Sequence, residues 1–358
     1  MKKVLVINTV NMGYTGITSV IMNYVRRTYE SVNYDFVLCG NVEKIFEDEL
    51  ISYGCNVFLP PCSRVRKPLN YYAWLKKIIK KNGYDVIHVH GNSGTMYFEI
   101  RAAKKMGIPI RIAHSHSTSC KYMMAHHILK PLLNRGLTHA LACSETAGKW
   151  LFNGKYTVLP NGIDVKKFAF SQDARNEYRR QMNLENKFVI GHVGYMDVEK
   201  NQLFLLHIME RLIQRQPNAR LLLVGDGKMR HELEEFIQQH QLQDYVQLLG
   251  KRSDVAQLYQ CMDVFTLPSV YEGLGIVLLE AQTAGLPCVA SIGVPQTANV
   301  LGQVKYIGIE NSDIESWCDA ITGAYNSVSD RASCYDRMRA TVFNMDSCVD
   351  ILLNTYHL

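Results

Sequence analysis

The residues best suited to chemistry lie in one run, Pro268-Ser269-Val270-Tyr271-Glu272-Gly273-Leu274-Gly275-Ile276-Val277-Leu278-Leu279-Glu280-Ala281. Glycines at 273 and 275 let a backbone approach a ligand closely, and the run opens a helix whose first N–H groups carry about half a positive charge. A phosphate suits that position. Glu272 stands in the loop before the helix and Glu280 about one and a half turns into it. A carboxylate only accepts hydrogen bonds and can take both hydroxyls of a vicinal diol. Two such groups around a phosphate site imply a ligand with sugars on both sides of its phosphates.

Other groups carry weaker signals. His88 and His90 share one face of a strand, as do His114 and His116, and with His126 and His127 they invite a metal reading. No spacing fixes a full ligand set, so no zinc is expected. No Asp-x-Asp pair occurs in the chain, so no magnesium is expected either. The loop Gly13-Tyr14-Thr15-Gly16 follows the first strand and reads either as a phosphate contact or as an ordinary strand-to-helix turn. Asp226, between two glycines, is most simply a turn residue.

Positioning these groups requires alternating strands and helices, and the pattern supplies them. Short β-branched runs at 3–9, 34–39, 56–59, 86–90, 110–114, 140–143 and 157–159 alternate with helix-length stretches such as 17–28, 69–81 and 94–106. The turn-rich Pro160-Asn161-Gly162-Ile163-Asp164 and a polar helix at 173–182 follow, and the alternation then restarts. Strands are expected at 188–193, 220–224, 246–249, 264–267 and 288–291, with helices at 202–215, 229–240, 254–261 and 275–284. The expectation is an α/β chain of two Rossmann-like, doubly wound parallel-sheet domains facing a central cleft, with ligands at the carboxyl ends of the strands. The boundaries would be 1–165 and 166–342, with a helix at about 343–358 packing back on the first domain.

Length and composition agree with this. At 358 residues, 47% hydrophobic and 20% charged, the chain is long enough for two cores and excludes disordered, collagenous and disulfide-stapled classes. Ten scattered cysteines without a Cys-x-x-Cys pair read as reduced thiols in a cytoplasmic protein. The first apolar run is broken at Asn8 and Thr9, too short for a secretory h-region, and no stretch is apolar enough to span a bilayer. The net charge of +6 divides unevenly. Residues 1–165 hold 21 Lys+Arg against 10 Asp+Glu, net +11, and residues 166–358 hold 18 against 23, net −5. A basic first half suggests an anionic partner. Arg64, Arg66 and Lys67, followed by the lysine-rich, aromatic stretch 69–81, read either as a membrane-surface element or as an amphipathic core helix with solvated charges. No groove motif for nucleic acid is recognisable.

The context Ser-x-x-Glu-Gly-x-Gly…Glu-Ala-x-x-x-Gly-x-Pro around Glu272 and Glu280 resembles the signature of the retaining nucleotide-sugar glycosyltransferases of family four, which adopt the GT-B fold. Gly13–Gly16, Asp85–Gly91, His114-Ser115-His116, Pro160–Asp164, Lys200-Asn201 and Gly225-Asp226-Gly227 fall in register, so the resemblance covers essentially the whole chain. It implies that Glu280 holds the ribose hydroxyls and that Glu272 lies beside the donor sugar. The amides of Gly273, Leu274 and Gly275 would hold the distal phosphate, and Lys200, next to Asn201, would pair with the diphosphate. The loop residues Gly13 and Gly16 would touch the diphosphate as well. His114 would face the transferred sugar and orient it or the acceptor. The family's second diphosphate cation, an arginine after the glycine matching Gly194, is here Tyr195. Arg252 is the candidate to replace it.

The resemblance therefore implies a metal-independent, retaining hexosyltransferase with no cofactor. Its donor would be a nucleotide sugar, UDP-linked on family prevalence. Its acceptor would be a saccharide or lipid-linked saccharide of bacterial capsule, exopolysaccharide or lipopolysaccharide synthesis. The expected location is cytoplasmic, with peripheral contact to the anionic inner face of the membrane. The alternatives are a nucleotide-sugar epimerase of the same fold and a catalytically weak nucleotide-sugar-binding scaffold. Turnover with a panel of donors separates the three.

Overall fold

A computed structural model describes residues 1–13, 15–327 and 330–358. Contacts divide them into two compact units, 1–162 with 345–358, and 163–344. The divisions fall three residues before and two residues after the positions expected from the sequence, because the bridge from Ile163 to Asn344 draws both strand-like segments into the second unit.

Among the described residues the first unit contains β1 (Lys3–Asn8), α1 (Gly16–Thr28), β2 (Asn33–Leu38), α2 (Lys44–Ser52), β3 (Asn56–Phe58), α3 (Pro68–Asn82) and β4 (Val86–Gly91). It continues with α4 (Tyr97–Lys105), β5 (Ile110–Ser115), α5 (Met123–Gly136), β6 (His139–Ala142), α6 (Glu145–Leu151) and β7 (Thr157–Val158). The strands form one parallel sheet in the order β3-β2-β1-β4-β5-β6-β7. Both faces are covered, so the strands are near-continuous apolar runs rather than alternating ones; Leu5, Ile7, Val86, Ile87 and Val89 have no exposed surface.

The second unit begins with α7 (Val165–Phe168) and α8 (Gln172–Gln181), then β8 (Phe188–Val193), α9 (Gln202–Arg215), β9 (Ala219–Val224), α10 (Arg230–Gln239) and β10 (Val246–Gly250). It ends with α11 (Val255–Cys261), β11 (Val264–Leu267), α12 (Ile276–Thr283), β12 (Cys288–Ser291), β13 (Val304–Ile307), α13 (Ile314–Asn326) and α14 (Ser333–Arg339). Its parallel sheet runs β10-β9-β8-β11-β12-β13. The last helix, α15 (Met345–Tyr356), belongs to the first unit, where Met345, Cys348, Leu352 and Tyr356 join the core beneath α1.

Some elements differ from the sequence expectation. The stretch 94–106 divides into a 3-10 turn over Gly94–Met96 and then α4. Gly94 explains the break: a Cβ there would lie 2.4 Å from the His126 carbonyl oxygen, so α5 packs directly on this backbone. Helix α5 itself carries apolar residues on more than one side and Pro131 inside it, which hides helical periodicity in the sequence. Tyr71, Leu75 and Ile79 of α3 are buried in the core, while Leu69 at its start is 74% exposed and Lys77, Lys80 and Lys81 face solvent. No helix among the described residues is long and apolar enough to cross a membrane.

Candidate active site

Strand order reverses in the second unit between β8 and β11, and the loops leaving their carboxyl ends carry the predicted residues. Glycines let these loops interlock. Gly225 has φ +135°, and a Cβ there would sit 1.9 Å from the Gly194 oxygen; at Gly227 it would sit 2.3 Å from the Met196 oxygen. The Met196 amide donates to Asp226 O (3.0 Å), the Val270 amide to Glu199 O (2.8 Å) and the Glu272 amide to Gly293 O (3.2 Å). Asp226 is a turn residue: its side chain accepts from the Gly227 amide at 2.9 Å.

This framework brings Lys200, from the loop after β8, onto Glu272, from the loop after β11, with Lys200 Nζ donating to Glu272 Oε1. Ser269 Oγ donates to the same oxygen at 2.8 Å. Asp197 fixes the lysine's backbone by accepting from its amide at 2.9 Å. Asn201 adopts a left-handed conformation (φ 55°) to start α9 and donates to Pro268 O at 3.4 Å. It joins the two loops rather than standing free toward a ligand.

Helix α12 begins after Gly275, also left-handed (φ 78°), and no side chain caps it. Among the described residues no backbone acceptor takes the amides of Gly273, Leu274 or Gly275. Gly273 faces open space. Free amides at a helix amino end, beside a lysine, form an anion site.

Glu280 lies on α12. It keeps partial exposure but is packed on most sides, and burial pushes its carboxyl up to about 7. Tyr259 from α11 donates to its Oε2 at 3.0 Å and, with Lys167, holds that value down. At neutral pH the group is poised between an acid and a two-hydroxyl acceptor. Tyr259 lies 21 residues away in sequence, so only the packing of α11 on α12 brings it to Glu280.

The expectation for Arg252 changes. Arg252 donates through Nε and Nη2 to Asp254 at 2.8 and 2.6 Å, and Tyr178 donates to the same carboxylate at 3.2 Å. In this arrangement the guanidinium is committed to its neighbour and supplies no free second cation. Tyr195 is 43% exposed and contributes its carbonyl to Gln202 (3.0 Å).

In the first unit, β4 and β5 pair with His90 opposite His114. The rings of His88 and His90 stack at 4.1 Å between centroids, and those of His114 and His116 at 4.2 Å. His90 Nδ1 and His116 Nε2 share a hydrogen bond of 2.9 Å, and His88 Nδ1 bonds the Tyr356 hydroxyl at 2.7 Å. Burial holds His88, His90 and His114 well below the usual imidazole value, with the adjoining rings adding to it, and takes His116 down to about 3. All four are neutral at pH 7. Nitrogens of His88, His90 and His114 lie within 4.8 Å of one another. The His88 ring stacks on those of His90 and His114, while His90 and His114 are tilted by 38°.

His114 has no exposed surface, and neither ring nitrogen has a partner. His116, just past the end of β5, is half-buried as a residue, but its Nδ1 is buried and its Nε2 is shared with His90. The ring of His114 is thus covered, with both nitrogens unpartnered, at the carboxyl end of β5. Gly13 also departs from expectation: its amide donates to Thr18 Oγ1 at 3.2 Å, and Thr15 caps α1. Gly16 is the first residue of α1, and a Cβ there would meet no atom within 4 Å.

Two doubly wound parallel-sheet units in one chain, with an uncapped helix amino end at the second unit's switch point, form the GT-B architecture. The family profile "Glycosyltransferase Family 4" matches residues 15–167, and "Glycosyl transferases group 1" matches residues 187–327. EpsF of Bacillus subtilis (strain 168), named as a glycosyltransferase, is 31% identical over 375 residues, covering 100% of this chain and 97% of that protein. The UDP-Gal:alpha-D-GlcNAc-diphosphoundecaprenol alpha-1,3-galactosyltransferase of Escherichia coli is 29% identical over 263 residues, 69% of this chain and 68% of that enzyme. The crystal structure of Anabaena Alr3699/HepE in complex with UDP superposes with a TM-score of 0.80 at 19% identity, each chain covered in full. The chain belongs to glycosyltransferase family 4.

Proposed function

We propose that this glycosyltransferase moves a hexose from a UDP-sugar onto a hydroxyl of a lipid-linked saccharide, with retention at the anomeric carbon and without a metal, in bacterial surface-polysaccharide synthesis. The observation that carries the reading is the meeting of Lys200 and Glu272 beside the free amides of Gly273, Leu274 and Gly275, with Glu280 further along the same helix. The UDP named for the Anabaena neighbour and the diphosphoundecaprenol acceptor named for the Escherichia coli relative support the donor and acceptor classes.

In this reading Glu280 accepts the ribose hydroxyls and the three amides hold the distal phosphate. Lys200 leaves Glu272 for the diphosphate, which frees the Glu272 carboxylate, still held by Ser269, for a sugar hydroxyl. As the bond from the anomeric carbon to phosphate oxygen breaks, negative charge grows on the diphosphate, where Lys200 and the helix amides oppose it. The acceptor oxygen bonds the anomeric carbon on the face the phosphate leaves, and its proton passes to a phosphate oxygen. Lys200 and the amides at the α12 amino end together fall about one and a half charges short of the roughly three carried by a departing nucleoside diphosphate. With Arg252 bound to Asp254, that shortfall remains within the second unit's mapped site.

The first unit binds the acceptor. His114, at the carboxyl end of β5 with both ring nitrogens unpartnered, orients the sugar or the acceptor, and His116 stacks on it at 4.2 Å between centroids. The test is incubation with UDP-hexoses and a prenyl-diphosphate-linked sugar, following both transfer and donor affinity. Transfer that falls in Lys200→Met supports the reading. Donor binding with no transfer to any acceptor favours a scaffold, and epimerised free donor favours an isomerase.

A further inference from the structure

We propose that His88, His90 and His114 form a binding site for one Zn2+ ion, whose occupancy takes His114 out of use and stops transfer. Strand periodicity and register assemble the site. His88 and His90 stand two residues apart on β4, so both side chains leave the same face of the sheet, and the parallel pairing sets His114 of β5 opposite His90. One nitrogen from each ring can be chosen so that the three lie within 4.8 Å of one another. The residues are 1%, 3% and 0% exposed.

The hydrogen bonds leave the right atoms over. His88 uses Nδ1 for the Tyr356 hydroxyl at 2.7 Å, and His90 uses Nδ1 for His116 at 2.9 Å. Each of these rings is thus held by one nitrogen and offers the other, Nε2. His88 Nε2 and both nitrogens of His114 are buried with no hydrogen-bond partner among the described residues. Buried polar atoms are paired in the great majority of cases, so three orphaned nitrogens in one place call for a ligand. An imidazole fixed through one nitrogen and open at the other is the usual form of a zinc ligand. An all-nitrogen set does not suit magnesium or calcium, which take oxygen ligands.

The donor atoms of a tetrahedral zinc stand about 3.4 Å apart at a Zn–N distance of about 2.1 Å, so the widest pair has to close by at most about 1.4 Å. Rotation about Cβ–Cγ supplies this at low cost, because that torsion is broad for histidine, and it turns the stacked rings edge-on to a common point. Water would hold the fourth position. The sequence expectation of no zinc is reversed because the third ligand comes from a neighbouring strand, through a register that no spacing displays. The ion takes no part in the reaction. It competes with substrate for the nitrogens of His114, a consequence that rests on the proposed transfer reaction, whereas the binding rests on geometry alone.

The test is calorimetric titration of the full chain, first stripped of metal with a chelator, with zinc chloride alone. One equivalent should bind. His88→Phe removes a ligand and Tyr356→Phe removes the group that orients it, and each should weaken binding about tenfold or more. Co2+ should give the visible absorption of a four-coordinate ion with nitrogen ligands, without the thiolate charge-transfer band that binding at a cysteine produces; this wild-type spectrum identifies the ligands even where a variant fails to fold. No saturable binding overturns the proposal, as does a thiolate band or an affinity unchanged in both variants. In the transfer assay zinc should inhibit the wild-type chain and a chelator restore it, while His88→Phe should transfer as the wild type does and resist the inhibition. Full-rate transfer with the site saturated overturns the inhibitory role. The titrations use neither donor nor acceptor, so a failure to bind zinc leaves the proposed transfer reaction standing, and a failure of transfer leaves the site testable.

Discussion

The Glu280 carboxyl gives the sharpest prediction for single residues. Its value is raised to about 7 by burial, and hydroxyl donors favour its charged form, so a ribose diol binds better as the group ionises. Donor affinity should therefore climb as pH rises toward and through 7, then level off. Calorimetric titration between about pH 5.5 and 8.5 reads this directly. Glu280→Gln should flatten the climb and weaken donor binding at pH 8 by about tenfold. Tyr259→Phe loses a hydrogen bond that holds the value down and should move the climb to higher pH. A flat wild-type profile would contradict the assignment. Lys200→Met should lower kcat about 100-fold or more while donor affinity falls less, because its charge matters most as the leaving diphosphate develops. Glu272 and Glu280 stand out in sequence because glycines and carboxylates cluster in one run, whereas Lys200, 72 residues earlier, is marked only by the family resemblance. Tyr259 and the pairing of Arg252 with Asp254 were not legible, since a hydrogen-bond partner is chosen by packing or by rotamer and leaves no spacing to read.

At the scale of elements, the loops hold the site by close backbone approach. Gly225→Ala puts a Cβ 1.9 Å from the Gly194 oxygen at φ +135° and should destabilise the second unit by about 3 kcal/mol. Denaturant melts would reveal it, and a neutral effect would mean that the two loops are not locked. The segment before α3 is tied to α4 by Arg64, whose Nη2 lies 3.2 Å from Glu99 Oε2, and Glu99 has no exposed surface. Arg64→Met leaves that carboxylate buried and unpaired and should cost about 3–5 kcal/mol, much of it recovered in Arg64→Met/Glu99→Leu. Strands such as β8, β11 and β12 were readable to the residue because buried parallel strands are short β-branched runs bounded by turn residues. Helix α5 was not, because it is apolar on two sides and the helical period depends on a contrast that this helix lacks. Strand β13 has no fully buried residue and so shows no apolar run.

At the scale of the whole molecule, the chain's last helix stabilises its first unit. Leu352→Ala should cost about 2–5 kcal/mol, and Tyr356→Phe about 1–3 kcal/mol through the unpaired His88 nitrogen, although both lie far from their partners in sequence. Limited proteolysis reporting on residues 1–162 would register each loss; unchanged protection would place α15 outside that core. Two domains and a basic first half were legible from length and charge. The number +6 concealed an uneven division, since residues 1–165 carry a net +11 and residues 166–358 a net −5. The central claim is retaining transfer from a UDP-sugar, and it is met most directly by proton NMR of the glycoside formed from a UDP-α-hexose. The account predicts a product with the small anomeric coupling of an α linkage, formed by the wild-type chain and strongly reduced in Lys200→Met. A β-linked product, or transfer unaffected by that substitution, would contradict it.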